Sequence, residues 1–224
     1  NVMAPSRAQW MTRNDYYYQE HYRYLRFLVP EGLRVLDLGC GLGNQLAALK
    51  PSYGVGVDIS SGMIEIARDR HPDFQFVTGD IEDPKTLAGL EDPFDVIILS
   101  DTIGYLDDCE EALRQLHPLC TADTRIVISY FSRYWEPALV LAEKADFKMS
   151  QPMLNWLSSN DIANLLHLAD FDIVKRDWRQ LVPMRMLGLG TIINRFIGTL
   201  PIFRRFSLRN YLVARPWPKP VEKP

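Results

Sequence analysis

Five apolar runs punctuate the first 130 residues, and polar or acidic side chains close most of them. They are Val35-Leu36-Asp37-Leu38, Gly54-Val55-Gly56-Val57-Asp58-Ile59, Phe74-Gln75-Phe76-Val77-Thr78, Phe94-Asp95-Val96-Ile97-Ile98-Leu99-Ser100 and Thr124-Arg125-Ile126-Val127-Ile128-Ser129-Tyr130. Short, near-continuous and rich in Val and Ile, they predict strands buried on both faces, over 34–39, 54–59, 74–79, 94–100 and 124–130. Between them the pattern turns helical. Helices are predicted over 15–29, 43–50, 62–70 (capped by Ser60, stopped at His71-Pro72), 84–90, from Asp107 or Asp108 to Leu116, over 134–147 and over 159–169. Further strands are predicted over 171–181 and 210–214. Strands alternating with helices predict an α/β domain with a mostly parallel sheet and helices on both faces. Residues 1–14 show no clear pattern and are expected to be flexible.

The first strand leads into Gly39-Cys40-Gly41-Leu42-Gly43-Asn44. Glycines at alternate positions let a backbone approach a ligand closely, because no Cβ fills the space and positive φ is cheap. A dinucleotide loop needs G-x-G-x-x-G. Here the third glycine would fall at Asn44, and the pattern is G-x-G-x-G with Asp37 two residues before it. Taken with Asp58, Asp80 and Ser100-Asp101 after the next three strands, the chain resembles the class I S-adenosylmethionine-dependent methyltransferases over most of residues 15–180.

The resemblance implies a Rossmann-like, seven-stranded, mostly parallel sheet with an antiparallel edge strand. It also implies S-adenosylmethionine as cofactor. Gly39, Cys40 and Gly41 then border its amino-acid end, and Asp37 orients the loop or the amino group. Asp58 accepts the ribose hydroxyls, Asp80 takes the adenine amino group with Ile81 beside it, Ile59 and Met63 flank the ring, and Ser100 closes the methionine end. An Asp after a strand often only caps a helix. Three of them at the ligand-binding edge of one sheet point to a site.

Methyl transfer is an in-line displacement at an activated carbon, so alignment and exclusion of water matter more than a fixed catalytic set. On the acceptor side the candidates are His21 as a base, on an aromatic helix with Tyr17 and Tyr18, and Asp101 and Tyr105 after the fourth strand. Tyr130 and Trp135 are wall candidates or core. The segment after the fourth strand, Ser100-Asp101-Thr102-Ile103-Gly104-Tyr105, has no proline pair of the kind used to clamp an exocyclic amine, and no Pro-Cys nucleophile occurs. No metal set is recognisable. A small-molecule, sugar or lipid-linked acceptor is therefore expected, with no specific nucleic-acid signal. The competing readings are a nicotinamide-dependent reductase on a related sheet and a noncatalytic cofactor-binding regulatory module.

Bulk properties refine this reading. The chain has 224 residues and a net charge of −3, enough for one domain with a sizeable core. Its three cysteines show no disulfide or zinc spacing, which fits a reducing cytoplasm. Residues 175–224 carry eleven Lys or Arg against two acids, Asp177 and Glu222. Within them, 184–207 reads as an amphipathic insertion before the last strand, with Leu189, Ile192, Ile193, Phe196, Ile197 and Leu200 at helical spacing. It either packs on its own domain or a partner, or lies on a membrane surface. The methyltransferase domain is accordingly placed at 15–215, and 216–224 is a proline-rich tail or linker. Similar bacterial proteins carry a glycosyltransferase domain after this module, which makes a fused or neighbouring glycosyltransferase a further expectation.

Overall fold

The computed structural model describes residues 3–90, 93–144, 155–184, 186–198 and 200–217. Helices α1 (Met3–Arg13) and α2 (Asp15–Leu28) precede β1 (Arg34–Leu38), α3 (Asn44–Leu49), β2 (Tyr53–Asp58), α4 (Ser61–Arg70), β3 (Gln75–Thr78), α5 (Pro84–Ala88) and β4 (Phe94–Ser100). There follow α6 (Cys109–Arg114), β5 (Cys120–Phe131), α7 (Glu136–Lys144), α8 (Ser159–Leu168), β6 (Phe171–Arg179), α9 (Leu189–Ile192), α10 (Pro201–Arg204) and β7 (Arg209–Pro216). The seven strands form one sheet in the order β3-β2-β1-β4-β5-β7-β6. Only β7 runs antiparallel to its neighbours. It lies one place in from the edge, between β5 and β6.

Consecutive strand residues feed two separate cores. Leu36, Ile97 and Ile126 pack on one face with Leu113, Ile162 and Leu166 of α6 and α8. Their chain neighbours Val35, Ile98 and Val127 pack on the other, with Leu25, Leu46 and Ile64 of α2, α3 and α4. This period-two division of apolar runs is what a doubly covered sheet demands. Ser60 caps α4 by accepting from Met63 N, and Ser158 and Asp161 form a reciprocal capping box on α8.

Three expectations need correction. Residues 3–13, expected to be flexible, are helical, and α1 contacts α2 and α4. The fifth strand starts at Cys120 rather than 124, because Thr124 donates its hydroxyl to Phe94 O and holds the early part of the strand on β4. The insertion at 184–207 is not one amphipathic helix. A left-handed Gly188, a π-turn over Ile193–Ile197 and Pro201 divide it into short pieces. Of its six spaced apolar residues, Ile193 is half-buried and the other five are exposed. The end of the helix expected over 134–147, and most of the tail from 216, lie outside the described residues.

The β1–α3 turn is shaped by a steric constraint. Gly39 has φ +80°, and a Cβ there would collide with the Thr102 side chain. Thr102 cannot yield easily, since its hydroxyl donates to Leu38 O at 2.9 Å and neighbours Ser100 O at 3.1 Å. Gly41 also has positive φ, but nothing lies within 4 Å of its Cβ position. Gly39→Ala should therefore cost about 3 kcal/mol and Gly41→Ala about 1 kcal/mol. Urea unfolding of the two variants checks the difference, which isolates crowding from backbone strain.

Candidate functional site

A cavity of about 480 Å³ opens at the C-terminal edge of the parallel strands. The cofactor and acceptor-side candidates read from the sequence line it, namely His21, Asp37, Gly39, Cys40, Gly41, Asp58, Ile59, Met63, Asp80, Ile81, Ser100, Asp101 and Tyr105, whereas the wall candidates Tyr130 and Trp135 do not. The topology explains the convergence. β1, β2 and β4 are parallel and in register, so their C-terminal turns arrive side by side, and the turn after β3 completes the row.

The acidic end is built from β1 and β2. Asp58 Oδ2 accepts from Gly41 N at 2.8 Å and Oδ1 from Ser60 N at 2.9 Å, so the carboxylate fixes the glycine loop while its remaining lone pairs face outward. Asp80 Oδ1 accepts from Glu82 N at 3.0 Å in the turn after β3. Ile59 is 72% exposed over the cavity, an apolar surface with no packing partner of its own in the core. Asp37 is buried, and its Oδ1 accepts from Gln45 Nε2 at 2.8 Å. Its Oδ2 is buried without a hydrogen-bond partner. Burial first, and then the Asp58 charge, push its pKa up to about 8. Burial, with Asp37 and Asp58 nearby, also pushes the Cys40 thiol up, so this side chain packs as a neutral group beneath Gly56.

At the opposite end, sequence reasoning named Asp101 and Tyr17 but missed the arginine that joins them. Arg209, first residue of β7, is 1% exposed. Its guanidinium pairs with Asp101 Oδ2 at 2.7 Å, donates to Ser129 Oγ at 3.2 Å and to the Tyr17 hydroxyl, and lies over the Tyr17 and Phe131 rings at 4.8 and 5.5 Å. Burial opposes its charge, but Asp101, then Tyr17 and Tyr211, more than offset this and raise its pKa. Burial conversely raises the Asp101 pKa against the pull of Arg209. Asp101 holds φ +57°, and its Oδ1 is buried without a partner. The one available signal was an arginine at the start of a strand whose middle, Tyr211 to Ala214, is apolar, and it is easily absorbed into the basic C-terminal region.

His21 lines the cavity but is committed elsewhere. Gln45 donates its Nε2 to Asp37, so its Oε1 accepts from His21 Nε2, at 3.1 Å. That tautomer leaves His21 Nδ1 to accept from the Tyr211 hydroxyl at 2.7 Å. Burial, then the neighbouring Arg209 charge, pull the His21 pKa well down. The result is one hydrogen-bonded row from Tyr211 through His21 and Gln45 to Asp37. Tyr105 is half-exposed at the rim, and burial, then Asp101, push its phenol up to about 12, which keeps it a neutral donor. Of the two wall candidates, Tyr130 is buried in a smaller neighbouring pocket, and Trp135 donates its Nε1 to Phe206 O.

A family model for a methyltransferase domain matches residues 11–176. The chain belongs to the class I S-adenosylmethionine-dependent methyltransferases. Among curated relatives, this methyltransferase is 30% identical to the demethylmenaquinone methyltransferase of Streptomyces griseus over 148 residues, 65% of this chain and 61% of that one. It is 36% identical to the malonyl-[acyl-carrier protein] O-methyltransferase of Bacillus cereus over 110 residues, 47% of this chain and 40% of that one. The match thus spans less than two thirds of these relatives. A solved S-adenosylmethionine-dependent methyltransferase of Thermotoga maritima shares the fold, with a TM-score of 0.71, 18% identity and 94% of each chain covered. The family's cofactor is S-adenosylmethionine, and these comparisons favour neither the nicotinamide nor the noncatalytic reading. The expected glycosyltransferase finds no support among these relatives.

The two ends of the cavity make separate predictions. In Arg209→Met, Asp101 loses its partner, and the fold should lose about 3 kcal/mol. Adding Asp101→Asn, a residue that tolerates positive φ, should restore about half of it in urea unfolding. At the acidic end the folded pKa of Asp37 lies above its unfolded value of 3.8. Its protonated form therefore favours folding fully below about pH 4, and that stability is lost as pH rises toward 8. Thermal melts of the free protein at pH 5 and pH 8.5 should thus fall less in Asp37→Asn than in the wild type.

Proposed function

We propose that this chain transfers the methyl group of S-adenosylmethionine to a small-molecule, sugar or lipid-linked acceptor. What carries the reading is the polarity of the cavity: three carboxylates around open glycine backbone at one end, and a buried arginine–carboxylate pair among tyrosines at the other. The residues present fit the cofactor. Asp37 Oδ2 is a buried acceptor lacking a donor, which a cationic ammonium group satisfies. Gly41 offers backbone with free space above it, Asp58 offers lone pairs to a ribose diol, and Ile59 with Met63 offers apolar surface to adenine. When bound, S-adenosylmethionine supplies an electrophilic methyl carbon on a sulfonium.

The chain's own work is orientation and water exclusion. Arg209 holds one oxygen of Asp101, and the other, Oδ1, is the group that takes a proton from an acceptor hydroxyl. Tyr105 donates from the rim. His21 is a positioning residue, because its Nδ1 and Nε2 are both hydrogen-bonded to protein and its charged form is disfavoured.

Titration calorimetry with S-adenosylhomocysteine tests the cofactor end. Asp58→Asn should weaken binding at least about tenfold, since a ribose hydroxyl then meets an amide donor. Asp101→Asn should leave that affinity within about twofold while abolishing turnover once an acceptor is supplied. Wild-type protein that binds neither adenosyl ligand would overturn the reading.

A further inference from the structure

Between Met184 and Phe206, eleven large apolar side chains stand exposed among the described residues. Leu187, Ile192, Phe196, Ile202, Phe203 and Phe206 are among them, and Tyr134 lies against Phe206 with ring centroids 6.3 Å apart. Soluble domains seldom leave so many bulky apolar groups together in water. Charge adds a second observation. From Trp178 to Val221 the sequence contains no Asp or Glu, while Arg195 and Arg205 stand exposed within the apolar segment. Arg204 lies over the Trp178 ring at 5.1 Å.

We propose that this face docks on an anionic lipid surface. The combination of exposed Phe, Ile, Leu and Met with arginines in a segment that has no acid of its own matches the two attractions that hold a peripheral protein there, apolar insertion and headgroup charge. A second copy of the chain is a poorer occupant, because a two-fold contact would set arginine against arginine. Glycines and Pro201 break the segment into short turns, so apolar side chains project from several directions at a shallow depth rather than from one stripe. No helix among the described residues is long and apolar enough to cross a membrane.

The placement links the face to the cavity. The β6–β7 connection leaves the sheet at Arg179 and returns at Arg209, at the edge where the cavity opens. It is tied to α2, where Asn194 Nδ2 donates to the Tyr16 hydroxyl at 3.0 Å and Gln180 Nε2 to Tyr17 O at 3.2 Å. Docking therefore sets the cavity edge against the headgroup layer. The proposal needs no particular acceptor and stands apart from the assignment of methyl transfer.

Co-sedimentation of the full chain with vesicles tests it, using phosphatidylcholine alone and phosphatidylcholine mixed with phosphatidylglycerol. Binding should be about tenfold stronger to the anionic vesicles and fall as salt is raised. The triple variant Phe196→Ser, Ile202→Ser, Phe203→Ser should lose about tenfold of that binding with an unchanged melting temperature and unchanged S-adenosylhomocysteine affinity. Arg195→Gln with Arg205→Gln should remove most of the preference for anionic lipid. Equal binding to both vesicles, or binding to neither, overturns the proposal without use of any variant. So does a dimer in sedimentation equilibrium that the triple variant dissociates, which would assign the face to a second copy.

Discussion

A guanidinium withdrawn from water costs several kcal/mol unless its charge and its donors are met, and Arg209 imposes that condition on four elements at once. The turn after β4 supplies the carboxylate of Asp101, α2 the hydroxyl and ring of Tyr17, β5 the Ser129 hydroxyl and the Phe131 ring, and β7 the arginine itself. None of these groups is placed by local sequence alone. Once the pair forms, α2 is drawn over the sheet edge and the cavity acquires a roof. The same contacts surround His21 with a cation and two hydrogen-bond partners, which is why its ring stays neutral.

The row from Tyr211 to Asp37 joins the two ends of the cavity. Each member fixes the next: the amide of Gln45 orients because Asp37 can only accept, His21 takes one tautomer because Gln45 then accepts, and Tyr211 must donate. Buried networks of this kind are stable only when every member is satisfied. Within this row the oxygen that remains without a donor is Asp37 Oδ2. The free protein thus holds an ionisable group in an unfavourable state at neutral pH, a cost that a cationic ligand removes.

Legibility in the sequence followed the distance between partners. The acidic end was readable because its parts are local: an apolar run, an acid at its end and glycines two or four residues on. Parallel strands then carry those ends to one edge. The Arg209 pair was not readable, because Asp101 is 108 positions away and the pairing depends on β7 entering between β5 and β6. His21 was noticed for its intrinsic pKa, yet its partners on α3 and β7 decide its role. Residues 3–13 gave no clear amphipathic signal, but α1 brings Arg7 and Met11 to the cavity wall. Spacing in 184–207 was helical up to the break at Pro201; Gly188 and a π-turn divide it further, and its apolar residues are dispersed over several turns instead of one stripe.

The slot taken by β7 also has a consequence for how the chain is made. β6 leaves the ribosome before β7, yet β7 occupies the place beside β5. A nascent chain must therefore keep β5 and β6 apart, or part them again, until the last strand emerges. Up to that point Asp101 has no guanidinium and His21 no phenol, since both come from the first three residues of β7. Translation order thus makes the cavity complete only after β7 has emerged: a chain still short of β7 has its glycine loop and carboxylates in place but cannot close over a ligand.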